Sequence, residues 1–229
     1  FKKSKIEFQD LLYDMKKIQG AEAGDGQLTP GGIQVGHGSR PVSTSKVFTT
    51  GDLVQTDERL DVAIAGDGFF EVQMPGGFQG YTRDGSFKVS ADGAVVTNEG
   101  YQVVNAIPNI GGEVSNVAIS KTGEYTLFDQ QGQNIGAGQI QVTRFINPSG
   151  LQNIGGNIYQ ETPASGVPEQ GNPGQNGFGE LAQGYLEMSN VKVVEEMVNL
   201  IKAQRAYEVN SKAIQAADEM MQRSNSIKR

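Results

Sequence analysis

The most regular pattern of apolar and polar positions lies at the end of the chain. Val193, Leu200, Tyr207, Ile214 and Met221 recur at intervals of seven, so one heptad position is apolar throughout. Met197 opens a second column that continues as Gln204, Ser211 and Asp218, while Val194, Val198, Ile201 and Ala213 widen the stripe near its beginning. There is no Gly or Pro between Tyr185 and Arg229. Ser189 or Asn190 can cap a helix start, Glu195 and Glu196 suit its positive end, and Arg223 and Lys228 suit its negative end. The pattern predicts a helix over about 190–226, roughly 55 Å long at 1.5 Å per residue. Such a helix outreaches a compact domain, so it calls for a helical partner, in another copy or in chain preceding Phe1.

A second pattern, alternation with period two, runs from about Asp52 to Ile146. Leu60, Val62 and Ile64 alternate, Gly66-Asp67-Gly68 turns into Phe69-Phe70-Glu71-Val72, and further runs follow around Tyr81, Ser86–Val89, Val95-Val96, Tyr101–Val104, Val117–Ser120, Glu124–Phe128 and Gln139–Ile146. Asp84-Gly85 and Asp92-Gly93 read as hairpin turns, which predicts an antiparallel meander. The predicted core holds Phe69, Phe87, Tyr101, Leu127 and Phe145.

Outside these regions the signals are weaker. Ile6, Leu11, Leu12 and Met15 fall near one stripe and predict a short helix over 1–19. From Gly20 to Gly38 glycine dominates, which predicts an extended arm over about 20–45. Residues 147–184 lose alternation and gain Asn, Pro and Gly, which predicts an extended return path with few strands.

The expected fold class is therefore α+β, mainly β. A small antiparallel sandwich or partly open barrel carries extended arms and a long C-terminal coiled-coil helix. The segments are 1–50 (short helix and arm), 51–146 (β domain), 147–188 (extended return) and 189–229 (coiled-coil helix).

Composition narrows the chemistry. The 229 residues carry a net charge of -7, with 26 acidic and 19 basic side chains, which argues against a nucleic-acid partner. There is no Cys, hence no disulfide or thiolate chemistry, and no apolar run approaches the roughly 20 residues of a membrane span. The single histidine, His37, sits in the Gly-rich arm without a triad or metal partner. Asp57, Glu58 and Asp61 cluster in sequence, but Asp84 and Asp92 already have a conformational role in turns. No catalytic residue, cofactor or metal site is expected. A membrane-surface helix is disfavoured because the polar face of the last helix mixes acids and bases.

Three blocks resemble the rod and hook axial proteins of bacterial flagella. They are Phe1–Ser4 with Phe8–Leu12; Gly66–Phe70 through Tyr81–Phe87 to Gly100-Tyr101; and Gly184–Val191 followed by Glu195, Met197, Val198 and Gln204–Glu208. With Asn147–Leu151 they span nearly the whole chain in family order. Within that family the stretch Leu28–Arg40 looks like an insertion typical of distal-rod members; proximal-rod and hook members are the alternatives. The resemblance implies a structural, non-catalytic subunit that polymerises into a helical tube, the drive shaft transmitting motor torque to the hook. It further implies delivery by the flagellar export apparatus, residence in the periplasm-spanning basal body, and contacts with copies of itself, other rod and hook proteins and surrounding rings, without direct membrane insertion. It places the assembly interface on Val193, Met197, Leu200, Gln204, Tyr207, Ser211, Ile214 and Met221, and a rod-specific arm on Leu28, Pro30, Ile33, Val35 and Arg40. Family members begin with a further helix rich in Asn and Ala. The opening at Phe1 without Met is therefore expected to mark a fragment or trimmed product that lacks this partner for the last helix. Outside the family, the competing reading is a β-type binding module, which would be a stable monomer.

Overall fold

The computed structural model describes residues 1–17, 31–111 and 114–227. The chain forms two compact units, residues 1–188 and 189–229. The regular structure of the first is β-strand apart from a short 3-10 turn at Pro148–Gly150, and the second is one α-helix, α1, over Val193–Ile227. No described helix is long and apolar enough to cross a membrane.

The centre of the first unit is a seven-stranded antiparallel sheet. Its strands lie in the order Gln152–Gly155, Ile158–Gln160, Gln79–Thr82, Phe70–Gln73, Gln102–Val104, Val95–Val96 and Lys88–Val89. A three-stranded meander, Asn116–Ile119, Glu124–Phe128 and Asn134–Gln139, supplies further core residues. Three two-stranded pairs close the body: Val142–Arg144 with Glu169–Gly171, Glu180–Gln183 with Val62–Ala65, and Tyr185–Glu187 with Leu53–Gln55.

Successive side chains of a strand point to opposite faces, and Phe69-Phe70 shows the consequence. Phe70 enters the main core with Val62, Ile64, Val72, Phe87, Leu127 and Val142. Phe69 enters a second, aromatic cluster with Tyr81, Phe145, Leu151 and Tyr159. The rings in that cluster meet edge to face, as their quadrupoles favour. Of the expected core, Phe69, Phe87, Leu127 and Phe145 are buried, whereas Tyr101 is half-buried at the edge of the main cluster.

Glu71 lies on the aromatic side, directly opposite Tyr81 in the ladder. Its carboxylate is buried and accepts from Asn105 at 3.3 Å and Gln170 at 2.8 Å. Burial pushes the Tyr81 hydroxyl up to about 12, with the negative charges of Glu71 and Glu161 adding to the effect. A neutral phenol is thus favoured in the folded chain. Its contribution to stability is present below the ordinary tyrosine range and is lost as pH rises from about 10 to about 12. Tyr81→Phe is accordingly expected to flatten the loss of stability in that window, read as urea midpoints at successive alkaline pH values. An unchanged slope would remove Tyr81 as the cause.

Three sequence expectations change. The helix expected over 1–19 is a pair of strands, Ser4–Asp10 and Tyr13–Lys17, which pair antiparallel with Ser39–Lys46 and Ile33–Gly36. Hydrogen bonds from Leu11 N–H to Gly38 O and from His37 N–H to Leu12 O continue the ladder between them. The apolar residues that fell near a helical stripe also alternate, as Ile6/Phe8 and Tyr13/Met15, and a partner rich in Ser, Thr and Val settled the choice. Pro41 sits opposite Phe8 beside a register shift, the kind of strand position at which proline is tolerated.

The return path over 147–188 is not strand-poor. It contributes five strands, and every one of them pairs. Its partners lie more than 60 residues away for all but two of these strands, so their pairing left no local alternation to read.

Finally, only one of the two Asp-Gly dipeptides makes a hairpin. Asp92-Gly93 joins the paired strands Lys88–Val89 and Val95–Val96, with Gly93 at φ 83°. Asp84-Gly85 does not join paired strands. The Asp84 carboxylate accepts from the Ser86 N–H at 3.0 Å, and Gly85 lies against the backbone of Val62.

Candidate assembly surfaces

Helix α1 presents its heptad column to solvent. Val193, Leu200, Tyr207, Ile214 and Met221 are all exposed, Leu200 at 59% and Tyr207 at 76%. Met197 and Gln204 are also exposed, and Ser211 is half-buried. Ala203 and Ala217, which the sequence reading passed over, stand three residues after Leu200 and Ile214. Side chains three and four apart are neighbours on a helix, so these alanines are small positions beside the large apolar column. A partner helix can approach closely there. Their spacing was available in the sequence, but an alanine does not stand out in an apolar count.

The second surface is the two-stranded ribbon formed by residues 1–17 and 31–46. Of the arm residues singled out, Ile33 and Val35 lie on the strand Ile33–Gly36, and Arg40 lies on Ser39–Lys46. All three are exposed. Leu28 and Pro30 lie outside the described residues. Ile6, Phe8, Leu12, Tyr13, Met15 and Val42 are exposed as well, with Leu12 at 86%. A two-stranded ribbon is marginal alone in water, and among the described residues no third strand pairs with either edge of this one.

The ribbon joins the body through charge. Among its described residues only Lys2 is buried. The Lys2 ammonium donates to Glu187 Oε1 at 2.5 Å and to Thr49 O at 2.8 Å. Glu187 Oε2 accepts from Arg83 Nε at 2.8 Å, and Oε1 also accepts from the Gly51 N–H at 2.8 Å. The rest of the Arg83 guanidinium donates to the carbonyls of Ile64, Gly66 and Gly68. All three charged side chains are about nineteen-twentieths buried. Burial pushes the Glu187 carboxyl up, but the hydrogen bond and charge of Arg83, then the bonds from Lys2 and Gly51, outweigh it and hold the group below its usual range. Burial lowers Lys2; the hydrogen bond to Glu187 offsets this only in part, and the nearby charge of Arg83 lowers it further.

A third feature is the distribution of charge. Sixteen of the 26 acidic residues lie in residues 47–188, which hold only five of the 19 basic ones. The ribbon segment, 1–46, and the helix segment, 189–229, each hold seven basic residues against five acidic. Overall net charge conceals this partition. Among the described residues no His, Asp and Glu side chains gather as a metal site would require.

Comparison with known proteins agrees with this layout. A model described as the flagellar hook protein FlgE/F/G D1 domain matches residues 63–127. One described as the flagellar basal body rod FlgEFG protein C-terminal matches residues 182–227, which include the whole of α1. The flagellar basal-body rod protein FlgG of Buchnera aphidicola subsp. Schizaphis graminum is 46% identical over 228 residues, covering 99% of this chain and 87% of that protein. FlgG of Borreliella burgdorferi is 46% identical over 231 residues, covering all of this chain and 87% of its own length. FlgG of Bacillus subtilis is 36% identical over 236 residues, with 88% of that protein covered. On this likeness along its whole length, the chain belongs to the family of flagellar basal-body rod proteins.

Proposed function

We propose that this chain is a structural, non-catalytic subunit of the flagellar distal rod, where many copies assemble into a helical tube that passes motor torque to the hook. The observation that carries the reading is the exposed heptad column of α1, on a chain that matches rod proteins over its full length. Five large apolar side chains at a seven-residue spacing are costly to leave in water, and each gains roughly 1.5–3 kcal/mol when buried against a partner. The assembly residues are Val193, Met197, Leu200, Gln204, Tyr207, Ser211, Ile214 and Met221. The polar members Gln204 and Ser211 fix register at some cost in affinity.

The ribbon is the bridging arm. Its exposed Phe8, Leu12, Ile33 and Val35, with Arg40 beside them, supply contact area, and its unpaired edges supply backbone hydrogen bonds. Its slight excess of basic residues faces a strongly acidic body on any neighbouring copy, which favours heterologous contact between arm and body over contact between bodies. A head-to-tail contact whose rotation does not close yields a filament. Other rod proteins, the hook and the surrounding rings are the remaining neighbours, met without membrane insertion.

The test is to tag the complete protein in its cell and locate the label in isolated basal bodies by electron microscopy. Label confined to the shaft within the outer rings is the expected result. Label on the external curved segment would make the chain hook-type. Label near the inner end would make it proximal rod, and no label on the organelle would favour a monomeric binding module.

A further inference from the structure

We infer that Glu187 is a clasp: one buried carboxylate that fixes the root of the ribbon and the last strand of the body to the same point. The ribbon itself is nearly free of buried side chains. None of the described side chains of its first strands, Ser4–Asp10 and Tyr13–Lys16, is buried, and none of residues 31–46 is. The ribbon therefore has no apolar core through which to be held. Its return side is anchored just beyond Lys46 by Phe48, whose ring meets Phe69 at 5.2 Å and Tyr159 at 5.0 Å. On its outgoing side the buried side chain is Lys2, which donates to Glu187 Oε1 and to Thr49 O.

Glu187 is placed to join distant parts of the chain. It ends the strand Tyr185–Glu187, two residues before the helical unit begins. Its carboxylate reaches Lys2 at the start of the ribbon, the Gly51 N–H just after it, and Arg83 in the body. Arg83 in turn is fixed by the Ile64 carbonyl of the strand Val62–Ala65 and by the Gly66 and Gly68 carbonyls of the loop that leads to Phe70–Gln73. A buried carboxylate stays charged only where hydrogen bonds are supplied, and here Lys2, the Gly51 N–H and Arg83 supply them. Because a charged pair in a dry site is directional, Lys2 sets where the ribbon leaves the body, which an exposed apolar contact would not do. Lys2 and Glu187 are thus positioning residues, whatever the ribbon docks on.

The clasp lies outside both core clusters, so its loss should loosen one region. This can be read by amide hydrogen exchange on the full chain, at native conditions where local opening dominates. The reporters are the amides of Val47, bonded to Lys3 O, Gly51, bonded to Glu187, and Met188, bonded to Asp52 O. Val72 and Leu127 report on the core. Glu187→Gln is expected to speed exchange at Val47, Gly51 and Met188 by tenfold or more, with Val72 and Leu127 within about twofold of the parent. Lys2→Met is expected to speed Val47 and leave Met188 slow, and Lys2→Arg to return Val47 close to the parent rate.

The inference is overturned if the Lys2→Met change slows nothing and speeds nothing, or if it accelerates the core amides as much as Val47. Unprotected Val47 in the parent would overturn it too. Should Glu187→Gln fail to fold, the role is general stability and the clasp reading is lost. None of these outcomes depends on where the protein sits in the cell, so failure here leaves the rod assignment intact.

Discussion

Replacing Leu200 and Ile214 together by Asp is expected to abolish assembly and motility while leaving the body of the monomer as stable as before. Both side chains are exposed in the isolated chain, at 59% and 64%. The substitutions therefore cost the monomer little beyond helix propensity, up to about 0.7 kcal/mol per position. In an assembled helix layer the same sites would each lose roughly 1.5–3 kcal/mol of apolar burial and would add a carboxylate that needs a partner. Two sites lost in every copy amount to about 3–6 kcal/mol before the carboxylates are counted, which is roughly a hundredfold to ten-thousandfold in the affinity of each added subunit. Exposed polar positions of the same helix serve as controls: Lys202→Ala and Glu208→Ala should leave swimming unchanged. Urea midpoints of the purified variants check the first half of the expectation, and swimming in soft agar checks the second. Normal motility of the double variant would remove the column from the interface.

The second large effect is on folding. Gly85→Ala is expected to cost about 4 kcal/mol or more, enough to deplete soluble protein. A Cβ built there would stand 1.7 Å from the carbonyl oxygen of Val62 and 2.7 Å from its carbon, both of them backbone. No side-chain rotation can relieve that overlap. The Val62 N–H donates to Gly85 O at 3.1 Å, so moving the strand away also breaks a hydrogen bond. Val62 opens the strand Val62–Ala65, whose pairing with Glu180–Gln183 brings the return path onto the core. Gly111→Ala, with no atom within 4 Å, should lie within about 0.5 kcal/mol of the parent. Urea unfolding of the two variants decides between steric approach and a general intolerance of the loop residues. Equal losses would discard the steric account.

Gly85 also marks a limit of sequence reading. Asp84-Gly85 and Asp92-Gly93 are the same dipeptide in similar surroundings, and local pattern assigns both to hairpins. Only Asp92-Gly93 has the positive φ that such a turn needs. At Gly85 the residue is required by a strand more than 20 residues earlier, a constraint no local window contains.

The candidate surfaces divide in the same way. The heptad column was readable because a helix repeats in sequence what it presents in space. The ribbon was not, because Ile6, Leu11, Leu12 and Met15 satisfy a helical stripe about as well as two short alternations. The decision lay with Ile33–Lys46, which offered a β-prone partner across a long connection. The clasp was the least visible of all. Lys2 reads as one of several terminal lysines and Glu187 as a lone acid between Leu186 and Met188, and 185 residues separate them.

Acting alone, the amino-acid sequence determined the features that depend on short-range periodicity and composition. These are the long last helix, the β character of the middle, the absence of thiol chemistry and the acidic balance. Tertiary structure decided which strands meet, which of two like turns is a hairpin, and which charges lose their water. Those outcomes depend on side chains brought together from opposite ends of the chain. Their energies come from burial and hydrogen bonding that exist only after folding, so no stretch of residues carries them by itself.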